Sequence, residues 1–297
     1  MKFVTIQTNN ENHLGVKTDR GILNVTAAAR SGKGSSLPVT VHELIEGGAA
    51  ARQAIESLVR EAESDSAAWL NADSVVYGPC VTRPEKLICV GLNYRKHAEE
   101  TNAKIPEYPI LFNKFNNTLT GHGHDVELPI TSKEVDYEAE LAIVIGRPTK
   151  HVSEEEALDY VFGYCVVNDL SARDLQLRTN QWMLGKVCDG FSPLGPELVT
   201  ADEISDPNNL RISCHVNGEQ RQNSNTSDMI FNCKQIISYL SRHLTLKPGD
   251  VILTGTPEGV VLGYPPEKRV YLQPGDVVTV SIEKLGSITN KMVAEKV

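Results

Sequence analysis

The stretch Val135-Asp136-Tyr137-Glu138-Ala139-Glu140-Leu141-Ala142-Ile143-Val144-Ile145-Gly146 decides how the rest of the chain is read. Side chains alternate across a strand, so Tyr137, Ala139, Leu141, Ile143 and Ile145 share one face, and Glu138, Glu140, Ala142 and Val144 share the other. A strand is expected over residues 137–146. It carries two neighbouring carboxylates, whose repulsion raises one pKa unless a cation sits between them. A solvent-facing edge with two ordinary glutamates is the plain alternative. The continuation into Ala142 and Val144 speaks against it, because it implies that both faces are covered.

Outward from this strand, short apolar segments separated by Gly, Pro, Asn and Asp continue in both directions, the pattern of a β-rich domain. Strands are expected over residues 86–91, 109–114, 161–169, 210–216, 251–255 and 277–282. Asn217-Gly218 signals a two-residue hairpin. Helices are expected over 153–158, which opens on the capping box of Ser153 and Glu156, and over 232–243, with Ile236, Ile237 and Leu240 as its apolar stripe. Pro248-Gly249-Asp250-Val251 and Pro274-Gly275-Asp276-Val277 echo one another as turns feeding strands. Residues 2–25 read as short strands, and two helical patterns follow, 41–47 ending on a Gly-Gly pair and 50–63. The proline-bearing stretch 75–84 places a boundary near residue 80. The expected class is β-rich α+β, with a small α+β N-terminal domain (1–80) and a larger C-terminal domain (81–297).

Composition excludes several classes. The 297 residues carry 29 Lys plus Arg against 38 Asp plus Glu, a formal net charge of -9 that disfavours nucleic acid as a partner. The longest apolar run, 160–167, is far too short to span a membrane. The six cysteines form no CxxC pair, which fits free thiols in a reducing compartment. With no signal-peptide pattern at the N-terminus, a cytoplasmic protein is expected.

Candidate chemistry gathers around a few polar residues. Asp169 ends the apolar run of the segment 162–169, and a helical turn starting there would set Asp169, Arg173 and Gln176 on one side; a helix-capping aspartate is the alternative. Glu138, Glu140 and Asp169 are hard oxygen ligands suited to Mg²⁺ or Mn²⁺. Lys186 lies in an apolar, glycine-flanked setting, unlike most lysines. Around Thr256, the Gly/Thr turn 253–260 can aim amides and hydroxyls at a carboxylate. His97 and Glu100 fall at i and i+3 of a short helix, where the carboxylate can orient the imidazole for general-base work, although exposed His/Glu neighbours are common. His122-Gly123-His124 reads as a turn rather than a zinc site.

NYRKHAEE, DYEAELAIVIG, FGYCVVNDLSARDLQ, the GK followed by SPLGP, and LTGTPEGV, in that order over about residues 85–285, resemble the fumarylacetoacetate hydrolase family. The resemblance implies a mixed β-roll, a homodimer, and Mg²⁺ or Mn²⁺ held by Glu138, Glu140 and Asp169. It further implies His97 and Glu100 as a water-activating pair, Lys186 assisting at substrate oxygens, and Arg173, Gln176 and Thr256 lining or supporting the pocket. Val261 departs from the pattern, which often has glycine there.

The implied substrate is a small anionic 2-oxo acid. A 2,4-dioxo acid such as an acylpyruvate or fumarylpyruvate could chelate the cation while water activated by His97 attacks C4, and C–C cleavage would leave a pyruvate enolate stabilised by the cation and Lys186. Decarboxylation of oxaloacetate, or isomerisation of an unsaturated keto-acid, fits the same groups. A binding protein of the family without activity is the third reading. The His97–Glu100 pair favours the hydrolase.

Overall fold

The computed structural model describes residues 1–9, 11–30, 37–62 and 68–296. Its frame is a ten-stranded sheet whose order runs Trp69–Leu70, Gly21–Asn24, Glu11–Thr18, Lys2–Thr8, Glu197–Thr200, Val161–Asn168, Ala139–Ile145, Val251–Leu253, Leu87–Gly91 and Ile110–Lys114. All neighbours are antiparallel except Val251–Leu253 against Leu87–Gly91. A five-stranded sheet, ordered Glu219–Asn225, Arg211–Val216, Val277–Ile282, Gly286–Ala294 and Asp125–Leu128, packs over one face. The architecture is the expected β-rich α+β class.

The strand Ala139–Ile145 is buried along its whole length. Leu141, Ile143 and Ile145 enter the core shared with the second sheet and the helix Cys233–His243. Ala142 and Val144 enter a second core, roofed by the helical stretch Val41–Glu61. Both faces are therefore covered, as the even-numbered apolar residues imply.

Local signals account for most elements. Asn217 and Gly218 both adopt positive φ (53° and 81°), the backbone of a type I′ turn between Arg211–Val216 and Glu219–Asn225. Asn232 and Gln235 close a reciprocal capping box on Cys233–His243, and Ile236, Ile237 and Leu240 are fully buried. The helices of residues 41–47 and 50–63 meet at Gly48, whose φ of 55° interrupts the helical backbone; residue 63 lies outside the described residues. In each Pro-Gly-Asp-Val echo, the aspartate carboxylate accepts the amide three residues before it, Lys247 for Asp250 and Gln273 for Asp276.

Two local expectations fail. Ser153 and Glu156 do form their side-chain bonds, but only a 3-10 turn, Ala157–Tyr160, follows in place of an α-helix. The strand expected from residue 137 begins at Ala139, and the preceding Val135–Asp136 pairs separately with Ser171–Ala172. The break has a cause. The amides of Tyr137, Glu138 and Ala139 donate to the side chains of Asp136, Asn168 and Gln222, so these three N–H groups are withdrawn from the backbone ladder.

Candidate active site

Breaking the strand at Tyr137 and Glu138 brings Glu138 opposite Asp169, whose amide donates to the Glu138 carbonyl (2.9 Å). Glu140 follows on the regular strand, paired with Val167. One oxygen from each of Glu138, Glu140 and Asp169 lies within 4.8 Å of the others, and all three residues are buried. Three carboxylates without a thiol or imidazole make a hard donor set that fits Mg²⁺ or Mn²⁺.

Cations offset this charge. Lys186 Nζ donates to Glu138 Oε2 (2.7 Å) and Asp169 Oδ2 (2.9 Å), and it lies 5.0 Å from the centre of the Phe112 ring. Lys186 ends the short helix Met183–Lys186, which approaches so closely that a Cβ on Gly185 would fall 2.5 Å from the Ala172 carbonyl oxygen. Arg173 pairs with Glu138 Oε1 (2.7 Å) and Asp136 Oδ2 (2.8 Å), and donates to Gln176 Oε1 (2.9 Å). Burial works to raise the Glu138 pKa, but the charges of Lys186 and Arg173 outweigh it and hold the group at about 2. Burial, reinforced by repulsion from Asp169 and Glu138, pushes Glu140 well above the usual carboxylate range. Despite burial, Asp169 and Glu138 raise the Lys186 pKa and keep the ammonium charged.

Facing the acids is the helix Arg95–Glu100. His97 is buried, and its Nδ1 donates to Glu100 Oε1 (2.8 Å), which leaves the Nε2 lone pair free to accept a proton. Glu100 is held in turn by the Gly259 amide (2.9 Å), and the Gly255 amide donates to Glu140 Oε2 (2.8 Å). The amides of the Gly/Thr turn do meet carboxylates, and these belong to the protein itself. Gln222 Nε2 donates to Thr256 Oγ1 (2.9 Å), so the hydroxyl keeps its own hydrogen for another acceptor.

Seven predicted residues, His97, Glu138, Glu140, Arg173, Gln176, Lys186 and Thr256, line one cavity of about 180 Å³. Glu100 and Asp169 stand behind it, bonded to His97 and Lys186. Val90, Leu92, Phe112, Trp182 and Leu262 form its apolar wall. The helical turn expected from Asp169 starts only at Arg173, because Ser171–Ala172 is a strand; Asp169 caps no helix and turns to the lysines. His122 and His124 lie apart, bonded to the Thr289 amide and the Tyr77 carbonyl.

Sequence reasoning missed Lys114, Asp136 and Gln222. Lys114 is fully buried, donating to Asp169 and to the Phe191 carbonyl (2.7 Å). Alternation along Ile110–Lys114 carried the signal, since Lys114 shares its parity with Phe112 and Ile110 and so points inward.

The sequence model of the fumarylacetoacetate (FAA) hydrolase C-terminal domain matches residues 86–293. The chain belongs to the fumarylacetoacetate hydrolase family. Among curated family members, oxaloacetate tautomerase FAHD2A, mitochondrial, of Homo sapiens is 44% identical over 286 residues, 95% of this chain and 87% of that protein. Oxaloacetate tautomerase fahd2, mitochondrial, of Xenopus laevis is 47% identical over 261 residues, 87% of this chain and 80% of that protein. Among solved members, a putative HpcE protein from Mycobacterium smegmatis superposes with a TM-score of 0.85 at 35% identity, with full coverage of both chains. Maleylpyruvate hydrolase from Sphingobium sp. SYK-6, solved with manganese(II) and pyruvate, gives 0.80 at 29% identity, again over 100% of both chains. Family membership thus brings enzymes of small 2-oxo acids, one of them with a divalent ion.

Proposed function

We propose that this protein is a divalent-metal-dependent enzyme that interconverts the enol and keto forms of oxaloacetate. The observation that carries this reading is an imidazole fixed by a carboxylate on one side of a compact cavity, facing three convergent acids and a charged lysine on the other. That arrangement suits a reaction in which one proton moves at carbon while an oxygen gains charge. The names of the two relatives at 44% and 47% identity support oxaloacetate as the substrate.

Glu138, Glu140 and Asp169 would hold the cation. When bound, it supplies Lewis-acid polarisation of the 2-oxo group and an anchor for the adjoining carboxylate. His97 Nε2 takes a proton from C3 of the keto form, and the imidazolium, stabilised by Glu100, then gives that proton to the enolate oxygen; the enol-to-keto direction runs the same two transfers in reverse. Lys186, kept as an ammonium, donates to the oxygen that becomes enolate-like. Thr256 offers its hydroxyl hydrogen to the substrate, and the apolar wall of Phe112, Trp182 and Leu262 limits access of water.

Hydrolysis of a C–C bond in a 2,4-dioxo acid is the second reading, supported by the maleylpyruvate hydrolase at 29% identity. It ranks behind because the more similar relatives are named tautomerases. The test follows the ultraviolet absorbance of enol-oxaloacetate with Mg²⁺, with Mn²⁺ and in excess chelator, beside acylpyruvates and fumarylpyruvate. Metal-dependent acceleration of enol decay with slower or absent acylpyruvate cleavage is expected. Full activity in chelator, or cleavage alone, would overturn the proposal.

A further inference from the structure

We infer that Asp136 is a positioning residue that fixes the His97–Glu100 pair relative to the carboxylate cluster. The inference deepens the reading above, because its effect on rate depends on the role proposed there for His97.

Asp136 is fully buried, and its carboxylate is shared between two parts of the site. On one side, Oδ2 accepts from Arg173 Nε (2.9 Å) and forms an ion pair with Nη2 (2.8 Å), and the same Nη2 pairs with Glu138 Oε1. On the other, Oδ1 accepts the Val261 amide (2.8 Å) and Oδ2 the Leu262 amide (3.0 Å). These amides open the 3-10 turn Val261–Gly263. Two residues before that turn, the Gly259 amide donates to Glu100; at its end, a Cβ on Gly263 would fall 2.4 Å from the Glu100 carboxyl carbon. The turn therefore grips the Glu100 carboxylate from both ends. Tyr137 adds a second tie, its hydroxyl donating to the Gly259 carbonyl (3.0 Å).

A carboxylate that only neutralised Arg173 would need no turn amides, and one that only capped the turn would need no guanidinium. Asp136 does both and so links Glu138, through Arg173, to the turn that holds Glu100. Asn at this position presents one acceptor atom and one donor group. Either Arg173 or the turn amides then face an N–H, and the turn loses its fixed register with the acids.

The test compares Asp136→Asn, Tyr137→Phe and, as a control at the periphery, Asp174→Asn, in protein supplied with Mg²⁺. The first readout is the ¹H–¹⁵N signal of His97 Nδ1–H, which needs no turnover and stands even if the substrate assignment fails. Asp136→Asn should displace or broaden it, Tyr137→Phe should do so more weakly, and Asp174→Asn should leave it in place. The second readout is kinetic: kcat for Asp136→Asn should fall about 10²-fold, as for a reacting group misplaced by roughly 1 Å, with KM unchanged. In a Glu100→Gln background the same change should add little. An unmoved His97 signal in both Asp136→Asn and Tyr137→Phe, or rate losses that multiply in the double variant, would overturn the inference. If Asp136→Asn does not fold, Tyr137→Phe decides by the same criteria.

Discussion

Glu140→Gln will lower affinity for Mn²⁺ by at least about 100-fold, since changes merely to outer-shell partners of metal ligands cost roughly 10–100-fold. Among the described residues Glu140 has no ion pair to break, and glutamine retains an oxygen for the Gly255 amide. The fold should therefore persist, and stability should report the lost charge. Because the Glu140 pKa is raised on folding, the folded protein binds more protons than the unfolded chain above the ordinary carboxylate value of about 4.3. In chelator the parent should lose stability as pH rises through that window, whereas Glu140→Gln should lack this contribution. Glu138 behaves in the opposite sense: held at about 2, it contributes stability above roughly 4.3 that is lost as pH falls toward 2. Calorimetric titration with Mn²⁺ and melting curves at pH 5 and 8 check both parts. Equal Mn²⁺ affinity would remove Glu140 from the metal set, and parallel melting trends would show that its carboxyl is not raised on folding.

His97→Ala should reduce kcat for enol–keto interconversion by about 10²- to 10⁴-fold, the usual range for general acid–base catalysis, and leave Mn²⁺ affinity unaltered. The imidazole touches none of the three acids through a hydrogen bond, its partner being Glu100. The same variant separates the possible reactions. Tautomerisation and C–C hydrolysis both need the base and should collapse together, whereas metal-assisted decarboxylation of oxaloacetate should survive in part. Retention of tautomerase activity by His97→Ala would transfer the proton-moving role to another group.

The parts of the site that were legible in the sequence are those written in short-range spacing. Glu138 and Glu140 stand on one apolar strand, His97 and Glu100 fall at i and i+3, and Lys186 sits among glycines and apolar residues. Their convergence could not be read from composition or periodicity and came from family resemblance. What stayed hidden is set by partners far away in the chain. Lys114 reads as an ordinary strand-end lysine until Asp169, 55 residues later, is seen against it. Asp136 gains its meaning from amides 125 and 126 residues away. The strand break at Tyr137–Glu138 likewise depends on Asn168 and Gln222, side chains with no marked signal of their own.

The pairing of Lys2–Thr8 with Glu197–Thr200 carries a cost for any shortened form of the protein. Without the leading residues, Glu197–Thr200 and Val161–Asn168 would become the open margin of the large sheet, with the amides and carbonyls now met by Lys2, Phe3 and Val4 left bare. Phe162, Leu198 and Val199 would lie at or beside that margin, an adhesive template for strands of other molecules. The N-terminal strands Lys2–Thr8 and Glu11–Thr18 thus work as a seam binding on that margin of the sheet.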